Sequence, residues 1–351
     1  MRILYGVTGE GLGHTMRARV VGHHLAARGH QVLFAASGRA LAVLSREFDV
    51  LPIAGFELVY GRGHLRRAAS LAHNVARAPT SLKRNLGAAL EEAKRYDPQV
   101  VLTDFDSFAH GVGKLLGRPI VSVDHHHVID RFVHPTRVRK RLGASWSATR
   151  AVVRAKTPGC DHYLVSSFFA PVPRPRLAPR TTLVGPILRP EIERATPRAA
   201  EHFVVYQTSA TDPALLAALS KVPARFVLYG RGERDARPAP NVDARAFDEA
   251  QFVEDLATSR GLVSHGGHTA LAEAVVLGKP VLCFPLRNHG EQELNAAYLA
   301  EMGLGLAGGR PSARAIVEFV SWVESAPPST RRTTGNASAG AALDAILRRF
   351  S

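Results

Sequence analysis

Residues 264–296 gather side chains suited to holding an anion and a sugar. An apolar stretch, Gly261-Leu262-Val263, runs into Ser264-His265-Gly266-Gly267-His268-Thr269, and a helical pattern carrying Glu273 follows. Two adjacent glycines between a strand and a helix let backbone N–H groups approach an anion, and a helix N-terminus favours negative charge there. His265, His268 and Thr269 add side-chain donors. Glu273 lies one helical turn past Thr269, within reach of a sugar hydroxyl. A second apolar strand, Pro280–Phe284, and the polar run Glu291-Gln292-Glu293-Leu294-Asn295-Ala296 complete the segment. An ordinary tight turn would explain the glycines alone. A diphosphate cradle beside a sugar-facing acid describes a nucleotide-sugar site.

A second group opens the chain, Gly6-Val7-Thr8-Gly9-Glu10-Gly11-Leu12-Gly13-His14. Its glycines do not fit G-x-G-x-x-G, and no G-x-x-x-x-G-K-[ST] occurs. The loop places His14 at the C-terminal edge of a first strand. Asp104 ends another apolar strand, Val100-Val101-Leu102. Such edges face the crevice of doubly wound sheets. Asp124-His125-His126-His127 follows a third buried strand, Ile120–Val123, so at least one of these histidines faces the same crevice. Asp104-Phe105-Asp106 also spells D-x-D, a metal motif of a different transferase fold, but nothing else here resembles that fold, and no metal is expected.

Residues 264–296 resemble the donor-binding signature of inverting GT-B glycosyltransferases. His265, Gly266, Gly267, Thr269, Glu273, Ala274, Gly278, Pro280, Pro285, Gln292, Asn295 and Ala296 match it. His268 stands where Gly or Asn is usual, and Glu291 where Asp is usual. The opening resembles the G-x-G-H-x-x-R start of a subgroup related to the enzyme that makes lipid II, through Gly11, Gly13, His14 and Arg17. The resemblance implies an α/β fold of two Rossmann-like domains facing across a cleft. It implies His14 as the base for an acceptor hydroxyl, oriented by Asp104 or by Asp106. It places Gly13, Arg17, Asp106, His125 and His127 at the acceptor. On the donor it places Thr208, Ser209, Arg231, Phe247, His265, Gly266, Gly267, His268, Thr269, Glu273, Glu291 and Gln292.

The elements that must carry these residues alternate. Strands are expected at Arg2–Val7, Gln31–Ala35, Val50–Ile53, Pro98–Asp104, Pro119–Val123, Leu164–Ser166 and Thr182–Val184. Helices are expected at Thr15–Arg28, Ala40–Phe48, Ser70–Arg95 and Asp106–Leu116. Short apolar strands separated by helices argue a parallel sheet. His23, His24 and His30 are expected on a solvated helix face and its end. PVPRPRLAPR at 171–180 reads as a proline-rich loop, and 186–200 as a linker. A second unit holds strands at 203–206, 225–229, 262–263 and 281–284, and a helix at Ala339–Phe350 closes the chain. The expected domains are 1–188 for the acceptor and 200–325 for the donor. The tail, 326–351, is expected to pack back on the first.

The net charge of +15 lies entirely in residues 1–185, which hold 27 Lys+Arg against 12 Asp+Glu, while 186–351 hold 18 of each. Arg outnumbers Lys 38 to 7, which explains the choice of base but not the asymmetry. Dense stretches are 131–156, with no acid, and a group of Arg62, Arg66, Arg67, Arg77, Lys83 and Arg84. Such a face attracts anions: a membrane surface or a lipid-linked or otherwise anionic acceptor. Nucleic acid is disfavoured by the scarcity of interleaved aromatics. No run of about 18 apolar residues spans a membrane, and the start is too short for a signal-peptide core. Cys160 and Cys283 form no motif and are expected reduced. The expected place is the cytoplasm, peripherally at the inner face of the membrane. The expected activity is inverting, metal-independent transfer from a UDP-sugar, with no resident cofactor. A UDP-sugar 2-epimerase of the same fold and a non-catalytic nucleotide-sugar or polyanion binder stay open.

Overall fold

A computed structural model describes residues 1–9, 11–54, 60–61, 64–65, 83–143, 145–198, 200–207, 212–230, 236–325, 330 and 332–351. Strands in chain order are β1 (Arg2–Val7), β2 (Gln31–Ala36), β3 (Asp49–Pro52), β4 (Tyr60–Gly61), β5 (His64–Leu65), β6 (Val100–Asp104), β7 (Ile120–Asp124), β8 (Phe132–Val133), β9 (His162–Ser166), β10 (Val172–Pro173) and β11 (Thr181–Val184). They continue as β12 (His202–Tyr206), β13 (Arg225–Tyr229), β14 (Ala236–Ala239), β15 (Val242–Arg245), β16 (Leu262–Ser264), β17 (Val281–Cys283) and β18 (Gly305–Ala307).

Two seven-stranded sheets result, ordered β11-β9-β7-β6-β1-β2-β3 and β14-β15-β13-β12-β16-β17-β18. All pairings in the first are parallel, and in the second only β14 runs antiparallel to its neighbour. The strands are short and buried on both faces, as parallel strands covered by helices must be. In each sheet the order reverses direction at one point, between β1 and β6 and between β12 and β16. A crevice opens beyond the carboxyl ends of the strands at such a point. His14 follows β1 and Asp104 ends β6; Gln207 follows β12 and His265 follows β16. Topology alone therefore puts the two sequence groups at the two crevices.

The helix Asn336–Leu347 leaves the second sheet and lies on the first. Its Ala339, Leu343, Ile346 and Leu347 are buried with Ile3, Tyr5, Leu102 and Val121. His24, expected on a solvated face, instead bonds Asp344 of this helix at 2.8 Å. A larger apolar cluster runs from Leu4 and Val101 through Phe169 and Tyr298 to Val204 and Leu271, so the two units share one core.

The basic stretch 131–156 is largely helical, with helices Thr136–Leu142 and Ser145–Lys156. The proline-rich segment is less irregular than expected, because β10 pairs with β8. The linker holds a short helix, Pro190–Arg194. Cys160 and Cys283 are free and buried. The early part of the expected 70–95 helix and Arg62, Arg66, Arg67 and Arg77 lie outside the described residues.

Candidate active site

The first wall of the cleft is built on Asp104. Its Oδ1 accepts from His14 Nδ1 at 2.7 Å and from Arg17 Nη2 at 2.7 Å, and its Oδ2 accepts from Arg17 Nε at 2.8 Å. His14 and Arg17 reach it from one turn of the helix Leu12–Ala27, three residues apart on one face. Asp104 is wholly buried and Arg17 nearly so. Burial alone would raise the Asp104 carboxyl, but Arg17 and then His14 outweigh it and hold it below the usual range. A carboxylate only accepts, so the shared proton sits on His14 Nδ1 and the lone pair on Nε2. Burial lowers the His14 pKa from 6.5, against the opposing pull of Asp104. The result is a neutral imidazole with a fixed tautomer, which is what a general base for a hydroxyl needs.

Phe105, next to Asp104, has φ 55°, a left-handed conformation rare outside glycine. That turn separates the two acids of the D-x-D sequence. Asp104 faces His14, while Asp106 caps the helix Ser107–Leu115 by accepting from Ala109 N at 2.8 Å. The pairing of His14 with Asp104 rather than Asp106 is thus set by the backbone. Burial pushes Asp106 up to about 6.

The second wall starts at Gly266, with φ 102° and no room for a Cβ, which would lie 2.9 Å from Cys283 Sγ. The helix His268–Val276 follows, with Gly267 before it. Its first turn meets the first wall: a Cβ on Gly13 would lie 2.5 Å from Thr269 Oγ1. His265 Nε2 accepts from the Gln207 amide at 2.8 Å across the β12–β16 crevice, and its Nδ1 has no partner among the described residues. His268 is 5% exposed, and neither ring nitrogen has a hydrogen-bond partner among the described residues. Its ring stacks on His125 at 3.7 Å. Burial pushes the His268 pKa well below 6.5 and His265 down to about 4. Two neutral imidazoles with orphaned nitrogens, each costing about 1–3 kcal/mol, line a helix N-terminus suited to anions.

Three contacts tie the walls together. Arg189 holds Glu273 bidentately at 2.7 and 3.0 Å, with both side chains buried. His126 Nε2 lies 2.9 Å from Glu291 Oε2. His125 sits between the Ser166 carbonyl and the Asn295 side chain, 2.8 Å from each. Burial would raise Glu291, but His126, His125 and His289 hold it well below the usual carboxylate range.

Several expected residues are placed otherwise than the sequence suggested. Arg17, expected at the acceptor, is engaged by Asp104. His127 is turned into the protein, 2% exposed, with Nδ1 2.7 Å from Asp124. The member of that tract beside His14 is His126, stacked on it at 5.1 Å and on Phe105 at 4.1 Å. Glu273 faces Arg189, a residue of the linker that no spacing rule connects to it. Gln292 accepts from Leu286 N at 3.0 Å and shapes its own loop. Phe247 is 38% exposed, beside Phe252 at 5.6 Å and Tyr206 at 6.2 Å. Thr208, Ser209 and Arg231 lie outside the described residues.

Comparison with known proteins agrees with this architecture. An uncharacterized glycosyltransferase of Methanosarcina mazei is 25% identical over 337 residues, covering 87% of this chain and 85% of that one. A UDP-N-acetylglucosamine–N-acetylmuramyl-(pentapeptide) pyrophosphoryl-undecaprenol N-acetylglucosamine transferase of Bacillus cereus is 26% identical over 147 residues, covering 34% of this chain and 40% of that one. Among solved structures, the calicheamicin glycosyltransferase CalG4 is 19% identical with a TM-score of 0.63, over 99% of this chain and 98% of that one. An Arabidopsis thaliana UGT89C1 complexed with UDP is 16% identical with a TM-score of 0.61, over 99% of each chain. These structures share the GT-B fold of two Rossmann-like units. The family model described as glycosyl transferase family 1 matches residues 1–323, and with that match the chain is a member of this family, a GT-B glycosyltransferase.

Proposed function

We propose that the protein transfers a sugar from a UDP-sugar to an acceptor hydroxyl, with inversion and without a metal ion. His14 Nε2 takes the hydroxyl proton as the acceptor oxygen bonds the anomeric carbon. The bond from that carbon to the diphosphate breaks, and the nucleoside diphosphate leaves. Charge grows on the leaving diphosphate, and N–H groups with a helix N-terminus stabilise it best where they are fixed beforehand. The observation that carries this reading is the His14–Asp104 pair, 2.7 Å long, set against the first turn of the His268–Val276 helix. The neighbour solved with UDP supports the choice of nucleotide. Glu291 and Gln292 stand at the start of the helix Gly290–Glu301, where the family signature meets the donor sugar.

Calorimetric titration tests the donor half. UDP binds the native protein, and the Glu273→Gln variant binds it at least about tenfold more weakly, the loss of one charged hydrogen bond. Absence of UDP binding by the native protein sinks the donor assignment. Incubation with UDP-N-acetylglucosamine and no acceptor tests the reaction type: release of UDP together with a 2-epimer would replace transfer by epimerisation.

A further inference from the structure

We propose that the face formed by β8, β10 and the helices Thr136–Leu142 and Ser145–Lys156 docks on an anionic lipid surface. Docking there turns the mouth of the cleft toward the bilayer.

The centre of the face is a two-stranded ribbon. Val172 on β10 pairs with Val133 on β8. Phe132 is fully buried beneath, whereas Val133 is 49% and Val172 69% exposed. Residues directly opposite in an antiparallel pair lie about 5 Å apart, so the valines form one apolar tip. A single exposed valine is ordinary; the surroundings set these apart.

Arg174 follows Val172 by two residues, and its Nε donates to the Asp130 carbonyl at 3.0 Å. Its pKa is lowered by burial first and then by the charges of Arg150, Arg139 and Arg154, against Asp130. Arg150, Arg139 and Arg154 thus lie within electrostatic reach of Arg174. Neither 131–156 nor 171–180 contains an acidic residue. Asp130, beneath them, is itself shifted upward by burial. A like-charge cluster of this kind is relieved by an external anion.

Both features suit a bilayer. Lipid phosphates neutralise the arginines, and the valine tip enters the acyl boundary. Nucleic acid would need exposed rings for stacking, yet Phe132 is buried and Trp146 packs against His134 at 5.2 Å. The face also adjoins the cleft. Thr149 abuts Gly290, the residue before Glu291, and Arg137 pairs with Glu301 at the far end of that helix. A hydroxyl carried by a membrane-anchored acceptor would thus arise beside the donor-sugar segment. Only this orientation rests on the proposed transfer; the docking does not.

Co-sedimentation of the whole chain with phosphatidylcholine vesicles, with and without phosphatidylglycerol, tests the surface. The protein sediments with the anionic vesicles and is released by salt. Each of Arg139→Gln, Arg154→Gln and Arg174→Gln weakens binding about fivefold, and the three together about a hundredfold. Val133→Ser with Val172→Ser weakens it about tenfold or more. UDP titrates unchanged into all of these variants, which separates failure of the surface from failure of the active site. No sedimentation with anionic vesicles overturns the proposal. So do valine variants that bind as tightly as the native protein, since adsorption would then be by charge alone. Tighter binding to a single-stranded RNA than to the vesicles assigns the face to nucleic acid and overturns it as well.

Discussion

Asp104 on one wall of the cleft accepts three hydrogen bonds from His14 and Arg17, whereas His268 on the other wall makes none with the described residues. The first wall holds its reactive group in a fixed tautomer through contacts the protein makes for itself. The second wall keeps polar atoms unpaired beside a helix N-terminus. Buried orphans reduce stability, and proteins retain them where function needs them. One wall is thus built for readiness, the other for recognition, and substitutions on the two should fail differently.

The largest effect belongs to the first wall. His14→Ala lowers turnover about a thousandfold, within the range for loss of a general base, and leaves the UDP dissociation constant within about twofold. Single-turnover kinetics beside a titration reads both. Unchanged turnover removes His14 as the base, and a matching loss of UDP affinity erases the division between the walls.

A smaller effect arises where the walls are joined. Glu273→Ala takes from the buried Arg189 guanidinium its bidentate partner, and breaking such a pair costs about 3–5 kcal/mol. Urea denaturation should show that loss, with UDP binding abolished. Full stability would mean that Arg189 finds another partner, Glu249 being 3.3 Å from its Nη1.

The pH dependence of stability separates the buried imidazoles from the Asp104 carboxylate next. Burial depresses His125, His134 and His265 to about 4. Between about 4 and the unfolded value of about 6.5 the unfolded chain binds these protons and the native chain does not, so stability rises with pH. Each histidine adds at most about 1.4 kcal/mol per pH unit. Asp104 also has a depressed pKa, so its contribution is complete above the unfolded carboxylate value of about 3.9 and fades only as pH falls through its lower native value. Acid therefore strains the imidazoles before it releases the Asp104 carboxylate. Denaturant midpoints that stay flat from pH 4.5 to 6.5 would contradict this.

The smallest effect is the sharpest test of recognition. His268→Asn restores a residue usual at that position in the family signature. UDP affinity falls about tenfold, one good hydrogen bond to a charged group, while the melting temperature holds or rises. A fall in melting temperature with unchanged affinity would make His268 a packing residue.

The strands were the most legible part of the sequence. A buried parallel strand is a short apolar run, and Arg225–Tyr229 stands where the run predicts. The same runs located the crevices, because His14, Asp104 and His265 follow strand ends. Interactions across the fold were not legible. Arg189 meets Glu273 over 84 residues of chain, and nothing local in a proline-rich linker marks it. In the tract 125–127, adjacency to a strand end predicts that a histidine faces the cleft, and the expectation fell on His125 and His127, not on His126, which lies beside His14. Local backbone geometry chose His126 and turned His127 toward Asp124. The helices of 131–156 were hidden for a different reason. Their buried residues, Val138, Leu142 and Val153, are few among arginines, so the stretch reads first as charge.

The helix Asn336–Leu347 seals an apolar face that includes the first strand of the protein. During synthesis β1 leaves the ribosome hundreds of residues before its last covering. At about 5–20 residues per second, the first unit waits many seconds with that surface wet. The first unit thus cannot complete its core as an independent N-terminal piece, because the helix that covers it is translated after the whole second sheet. The second unit, made later, carries at its end the segment that finishes its elder neighbour.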